Sequence, residues 1–336
     1  MSARSRTLAE FSAIPRLETL FRQANSQVEL GIGDDAAVLA PKGRMVWTVD
    51  SAVEHVHFER AWLSLADIGY RSFQAAASDV CAMGGTPFAA LSSVIFPPGF
   101  AQAELAQLAR GQRAAARELG CAVVGGNLAR GAELSVTTTV IGNVARRPLL
   151  RSGARVGDEL WLCGELGLAA AGLRLLQAGV RRGTNAAERR ALRAFRRPKA
   201  QLQAGLQLAR VAHAAIDISD GLAGDARHIA RASGLELQID LDALGAMLSP
   251  ELDALAPRLG VSALDLALYG GEDYALVAAG PKRNRPPAAQ MIGSVGEGRG
   301  VVLLQGQRRR RAGRGFEHGN GVKREVFLRR QSPSAT

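Results

Sequence analysis

Aromatic residues make up only 5% of this 336-residue chain, and the three cysteines, Cys81, Cys121 and Cys163, are far apart with no Cys-x-x-Cys pair. Cysteines so spread argue against a disulfide framework and a thiolate zinc site, and they fit a reducing compartment. No run of about 18 apolar residues occurs, and no apolar core of signal-peptide length follows the basic N-terminus. A cytoplasmic protein with no membrane partner is therefore expected. Familiar catalytic signatures are missing too. There is no Gly-x4-Gly-Lys-Ser/Thr loop, no kinase-type His-Arg-Asp loop, no Gly-x-Ser-x-Gly elbow and no His-Glu-x-x-His helix. A nucleotide would have to be held through metal ions and scattered glycines.

What is present is a globular apolar content of 47% and a formal net charge of +11. The positive charge gathers in Arg181–Arg197 and Arg308–Arg314. Base-stacking platforms need aromatics between the basic residues, and few are there, so no nucleic-acid partner is expected. The length suits two domains of ordinary size.

The chain is organised around Gly-Ile-Gly-Asp-Asp-Ala-Ala-Val at 31–38. Gly31-x-Gly33-x-x-Ala36 matches the dinucleotide fingerprint, but that fingerprint requires a helix to open at the turn. Here Ala36–Leu39 runs into Pro41-Lys42-Gly43 and another strand-like run, so the dinucleotide reading fails. An acidic loop between strands is instead a place for hard cations, which take oxygen ligands. Acids recur at element ends. Asp50 follows the apolar run Met45–Val49, which reads as a buried strand. Asp79 lies near the end of a helix, and Asp217 and Asp220 frame Ile218-Ser219. Carboxylates at buried ends need something cationic to offset desolvation. Several converging ends would suit two or more magnesium ions and a nucleotide polyphosphate. On a strand His55 and His57 would share one face, and the residues alone leave one histidine divided between a ligand or substrate contact and a structural role.

Helices are expected over Phe11–Ala24, from a Ser64 cap to Met83 with Gly84-Gly85 as the stop, and over Ala101–Leu119. Cys121–Val124 and Glu133–Val144 read as strands, which gives the first half two helices on one sheet. Arg146–Arg151 looks like a boundary. In the second half, Glu159–Cys163, Ala215–Ile218, Leu235–Leu241, Ala275–Ala279, Ile292–Val295 and Val301–Leu304 read as strands. Leu168–Ala178, Asn185–Phe195, Ala200–His213 and a segment from Ser219 to Ser233 read as helices. The expected domains are residues 1–147, 148–318 and a basic, mobile tail, 319–336.

Together these motifs resemble the thiamine-monophosphate kinase family. The glycine–aspartate stretch at 31–38, Val49-Asp50-Ser51, His57-Phe58 and Ser78-Asp79 with Ala82-Met83-Gly84 come in family order. So do Arg151-Ser152-Gly153-Ala154, Asp217–Leu222, Gly270–Tyr274 and Gly315–His318. The resemblance implies an α/β (α+β) two-domain fold of the aminoimidazole ribonucleotide synthetase type, with an N-terminal mixed sheet that dimerises and a C-terminal α/β domain. It implies ATP-dependent phosphorylation of thiamine monophosphate to thiamine diphosphate, the last step in making that cofactor. Carried over by motif, the magnesium ligands are Asp34, Thr48, Asp50, Asp79, Asn127, Asp217 and Asp220. Gly126, Asn127, Arg151 and Ser219 contact ATP, and His57, Glu272 and Phe316 line the acceptor site. No residue is assigned covalent or general-base work, because the attacking phosphate oxygen is already ionised. Asn127 stands where the family usually has Asp, which keeps an oxygen ligand but removes a charge. The alternatives are another ATP-using member of the superfamily, similar to aminoimidazole ribonucleotide synthetase, or a non-catalytic nucleotide-binding protein. A selenophosphate synthetase needs a reactive Cys near its N-terminus, and the first here is Cys81.

Overall fold

The structure, a computed structural model, describes residues 10–33 and 35–313. Asp34, Phe316 and the tail from 319 therefore lie outside the described residues. The elements in the first half are α1 (Glu10–Phe21), β1 (Val28–Leu30), β2 (Val38–Leu39), β3 (Arg44–Val53), α2 (Leu65–Ala82), β4 (Thr86–Phe96), α3 (Gln102–Glu118), β5 (Ala122–Arg130) and β6 (Ser135–Val144). The second half holds β7 (Glu159–Cys163), α4 (Leu168–Gln177), α5 (Ala186–Arg196), α6 (Leu202–Leu208), β8 (Ala214–Asp217), α7 (Leu222–Ser233) and β9 (Glu236–Asp240). It continues with α8 (Leu241–Gly245), α9 (Pro250–Leu255), α10 (Ala263–Tyr269), β10 (Leu276–Gly280), β11 (Gln290–Gly296), β12 (Gly300–Gln305) and β13 (Arg308–Arg311).

Two large sheets result. The first has strand order β3-β6-β4-β5, and the second β13-β12-β9-β11-β7-β10-β8. Strands β4 and β5 run parallel, joined through α3 as a parallel pair requires, and the rest of the first sheet is antiparallel. Helices and mixed sheets in two halves are the α/β architecture expected. Among the described residues no helix is long and apolar enough to cross a membrane.

Helix α2 ties the halves together. Ser64 caps it, accepting the Asp67 N–H at 3.1 Å, and Gly84, at φ +70°, lets the chain turn away at the other end. Most of its side chains are buried, because it packs on the first sheet, on α3 and on the second half at once. Against α3 the approach is backbone to side: a Cβ at Gly111 would lie 1.9 Å from the Ala66 carbonyl oxygen, and one at Gly69 would lie 2.1 Å from that of Leu108. Gly111→Ala therefore has to push the two helices apart. We expect it to lower stability by about 1–3 kcal/mol, read as a lower thermal midpoint and denaturant midpoint. An unchanged midpoint would mean that the crossing tolerates a methyl group.

Two expectations need correcting, and two strands went unforeseen. Met45–Val49 is a strand but is not buried: Met45, Trp47 and Val49 are 51%, 67% and 62% exposed on the face opposite the helices. The helix expected over Ala200–His213 is only Leu202–Leu208, after which the chain turns into β8. Strand β4, central in its sheet, was not expected at all. Nor was β13, where the arginine run 308–311 pairs with β12 as an exposed edge strand. Arg309 there donates to Glu236 at 2.6 and 2.7 Å, and the row of charges discourages another strand from adding to the edge.

Candidate active site

The acidic ends expected from the sequence meet in one cavity. Asp50 comes from β3, Asp79 from α2, Asp217 from the end of β8, and Ser219 and Asp220 from the loop before α7. With His57, Glu272 and Tyr274 they line a cavity of about 640 Å³ between the two halves. Ala169, Ala170 and Leu173 of α4 with Phe195 and Tyr269 add apolar lining, and Arg174 and Gln177 add polar groups. The cavity thus combines carboxylates with apolar surface on which a flat organic ring can lie.

Two hydroxyls orient the acids. Thr48 Oγ1 donates to Asp79 Oδ2 at 2.6 Å, and Ser78 Oγ donates to Asp217 Oδ2 at 2.8 Å across the two halves. Burial, then the charge of Asp79, pushes the Asp217 carboxyl up to about 7, against the Ser78 hydrogen bond. Burial also raises Asp50, opposed by the Ser51 N–H at 2.7 Å and aided by the charges of Glu272 and Asp79. Carboxylates that disfavour one another's ionisation in this way are a good host for a cation, which reverses the balance and displaces protons. Among the described residues no three acidic, histidine or cysteine side chains close around a single point.

The loops that carry these groups are locked to each other. Asp225 accepts the N–H groups of both Ser219 and Asp220 at 3.0 Å. Glu272 N donates to Ser219 O, and Tyr274 N to Ile218 O, each at 2.8 Å. Gly271 permits this, since a Cβ there would lie 2.2 Å from the Ser219 oxygen. Glu272 and Tyr274 sit at φ +71° and +50°, backbone states that non-glycine residues hold only when the surroundings impose them. His57 Nδ1 accepts the Val53 N–H at 3.1 Å, so the neutral ring carries its proton on Nε2 and is a donor at that atom.

Not every predicted residue lines this cavity. Arg151 is an exposed residue whose charge reaches Asp217 and favours its ionised form. Gly126 and Asn127 lie on β5, at the opposite edge of the first sheet from Asp50. The register runs Asp50–Thr138–Ser92–Gly126 in one row and Ser51–Thr137–Ser93–Asn127 in the next. Successive rows face opposite sides, so Asn127 is on the open face and Asp50 on the helix face. Sequence reasoning missed Arg71 and Asp225, and gave no role to Ser78 or Tyr274 although both stand in the motifs quoted above. Arg71 carried a visible signal, a lone charge among buried helix positions, which has to have a partner.

The chain is similar to known proteins along most of its length. The AIR synthase related protein family matches in both its parts, the N-terminal domain over residues 33–144 and the C-terminal domain over residues 155–312. Thiamine-monophosphate kinase of Mycobacterium tuberculosis (strain CDC 1551 / Oshkosh) is 37% identical over 305 residues, covering 89% of each chain. The crystal structure of thiamine-monophosphate kinase from Stenotrophomonas maltophilia K279a superposes with a TM-score of 0.79 at 33% identity, covering 88% of this chain and 96% of that one. AaThiL complexed with AMPPCP and TMP superposes with a TM-score of 0.75 at 29% identity, covering 95% and 99%. With both domains matched and 37% identity over 89% of the chain to one of these enzymes, the chain belongs to the thiamine-monophosphate kinase family.

Proposed function

We propose that this chain transfers the γ-phosphoryl group of ATP to thiamine monophosphate, giving thiamine diphosphate and ADP. The observation that carries the reading is one cavity in which Asp50, Asp79, Asp217 and Asp220 share the lining with apolar side chains, in a fold shared with a relative solved with AMPPCP and TMP. A terminal phosphate oxygen of the acceptor attacks the γ-phosphorus, and the bond from that phosphorus to the β-γ bridging oxygen breaks. The nucleophile is already ionised, so the chain has to position it rather than deprotonate it. Asp50, Asp79, Asp217 and Asp220, with Thr48, would hold magnesium, and Asp34 is assigned the same role by its motif. Bound there, magnesium offsets the repulsion between two polyanions. Ser219 and Arg151 would contact the nucleotide. His57 would donate from Nε2 to the acceptor, and Glu272 and Phe316 would meet its rings. Purified protein with ATP and magnesium should form ADP and thiamine diphosphate one to one, only when thiamine monophosphate is present. ADP release that ignores the acceptor would overturn the reading.

The protein would act as a homodimer in the cytoplasm. Met45, Trp47, Val49, Leu91 and Ile95 are exposed on the open face of the first sheet, and a contiguous apolar patch of that kind marks an interface. Asn127 and Gly126 belong to this sheet, so a nucleotide that reaches Asn127 does so at the interface face. Sedimentation should give about twice the chain mass of 35.4 kDa, and Trp47→Glu should shift the protein to monomer. A monomeric wild-type protein would remove this face from the account.

A further inference from the structure

Arg71 is buried in the middle of α2, yet it carries a charge that must be answered. Its Nη1 donates to the Phe195 carbonyl at 2.8 Å, and its Nη2 to Glu272 Oε2 at 2.6 Å. The guanidinium lies 4.1 Å from the centroid of the Phe195 ring. Glu272 Oε2 also accepts the Tyr274 hydroxyl at 2.7 Å. Both donors therefore fall on one oxygen, and among the described residues Oε1 takes no hydrogen bond. The backbone beneath is fixed as well, by the Glu272 N–H on Ser219 and by the left-handed φ of Glu272 and Tyr274.

We propose that Arg71 is a positioning residue for acceptor choice: by clamping one oxygen of Glu272, it presents the other to the amino group of the acceptor's pyrimidine ring. The proposal rests on the acceptor assigned above. An ionised carboxylate oxygen only accepts, so held in one orientation it favours an N–H donor and repels a carbonyl oxygen at the same place. Arg71 sets a positive charge directly against Glu272, 2.6 Å from its Oε2. Two separate nitrogens of one planar guanidinium reach the Phe195 carbonyl and Glu272, a fork that the single nitrogen of lysine does not reproduce.

The test compares thiamine monophosphate with its 4-oxo analogue, in which a carbonyl replaces the amino group. It uses the full-length protein, Arg71→Met, Arg71→Lys and Tyr274→Phe. The wild-type protein should prefer the amino compound by on the order of 100-fold in kcat/KM, the scale of a hydrogen bond to a charged group. Arg71→Met should cut that preference to below about tenfold, mainly through the acceptor KM, with the KM for ATP within about twofold of wild type. Arg71→Lys should fall between the two. If Arg71→Met does not fold, Arg71→Lys and Tyr274→Phe carry the same comparison. A purely structural tie between α2 and the second half would weaken both acceptors alike. An unchanged preference in the folded variants therefore overturns the proposal. A wild-type protein that phosphorylates neither compound overturns the acceptor assignment, and this proposal with it.

Discussion

Asp79→Asn and Asp220→Asn should each lower turnover by at least about a hundredfold while leaving the fold intact, the scale seen when one preorganised electrostatic contact to the reacting group is lost. Both acids line the cavity, on elements from different halves. Asparagine keeps the shape and one oxygen, and the Thr48 hydroxyl at 2.6 Å still has an acceptor at position 79. What disappears is a charge. In a site that has to bring a nucleotide polyphosphate and a phosphate monoester together, that charge would help to hold the cations in place. Titrations of ATP and free magnesium separate weaker metal binding from slower transfer. Circular dichroism and the thermal midpoint check that Asp79→Asn has not loosened α2. Near-normal turnover at saturating magnesium in both variants would take these residues out of the site.

Free thiamine should be a poor acceptor, with kcat/KM lower than that of the monophosphate by about a thousandfold, within the range a general base contributes. Its hydroxyl has to lose a proton during attack, whereas the monophosphate oxygen does not. The cavity offers little to take that proton. His57 presents Nε2–H when neutral, since Nδ1 is occupied by the Val53 N–H. Asp217, pushed up to about 7, is the acid best suited to accept a proton, and in this account its charge is committed to a cation. The cysteines give no alternative route through a thiolate. All three are buried, and burial holds Cys81 up at about 12 and Cys163 up at about 11. Comparable rates with thiamine and its monophosphate would show that a base is at work and that the positioning argument is incomplete.

The acidic element ends were legible because a carboxylate after an apolar run breaks the local pattern. Asp50, Asp79, Asp217 and Asp220 were each visible in this way, and they do meet. Ser64 with Asp67 and the Gly84-Gly85 stop gave the bounds of α2 to within a residue, since capping is a local matter. Strand β4 was hidden by its punctuation. Pro87 near its start and Pro97-Pro98 just beyond its end read as breakers, although a proline is tolerated at the start of a strand. The apolar run Met45–Val49 reads as buried on both faces, and its open face shows where one chain's own packing stops. In β13 the arginines conceal a strand whose pairing supplies what their side chains do not. The Arg71–Glu272 pair joins residues 201 positions apart, and no local pattern predicts such a contact. The register that puts Asn127 and Asp50 on opposite faces is likewise a property of the assembled sheet.

Direct transfer by positioned groups, with no phosphorylated protein intermediate, is the centre of this account. The stereochemical course at phosphorus tests it most directly. With thiamine monophosphate as acceptor and ATP carrying a γ-thiophosphate made chiral by oxygen isotopes, a single in-line displacement inverts the configuration at the transferred phosphorus. We predict inversion in the thiamine diphosphate formed. Retention would require two displacements through a phosphorylated side chain, and would contradict the account.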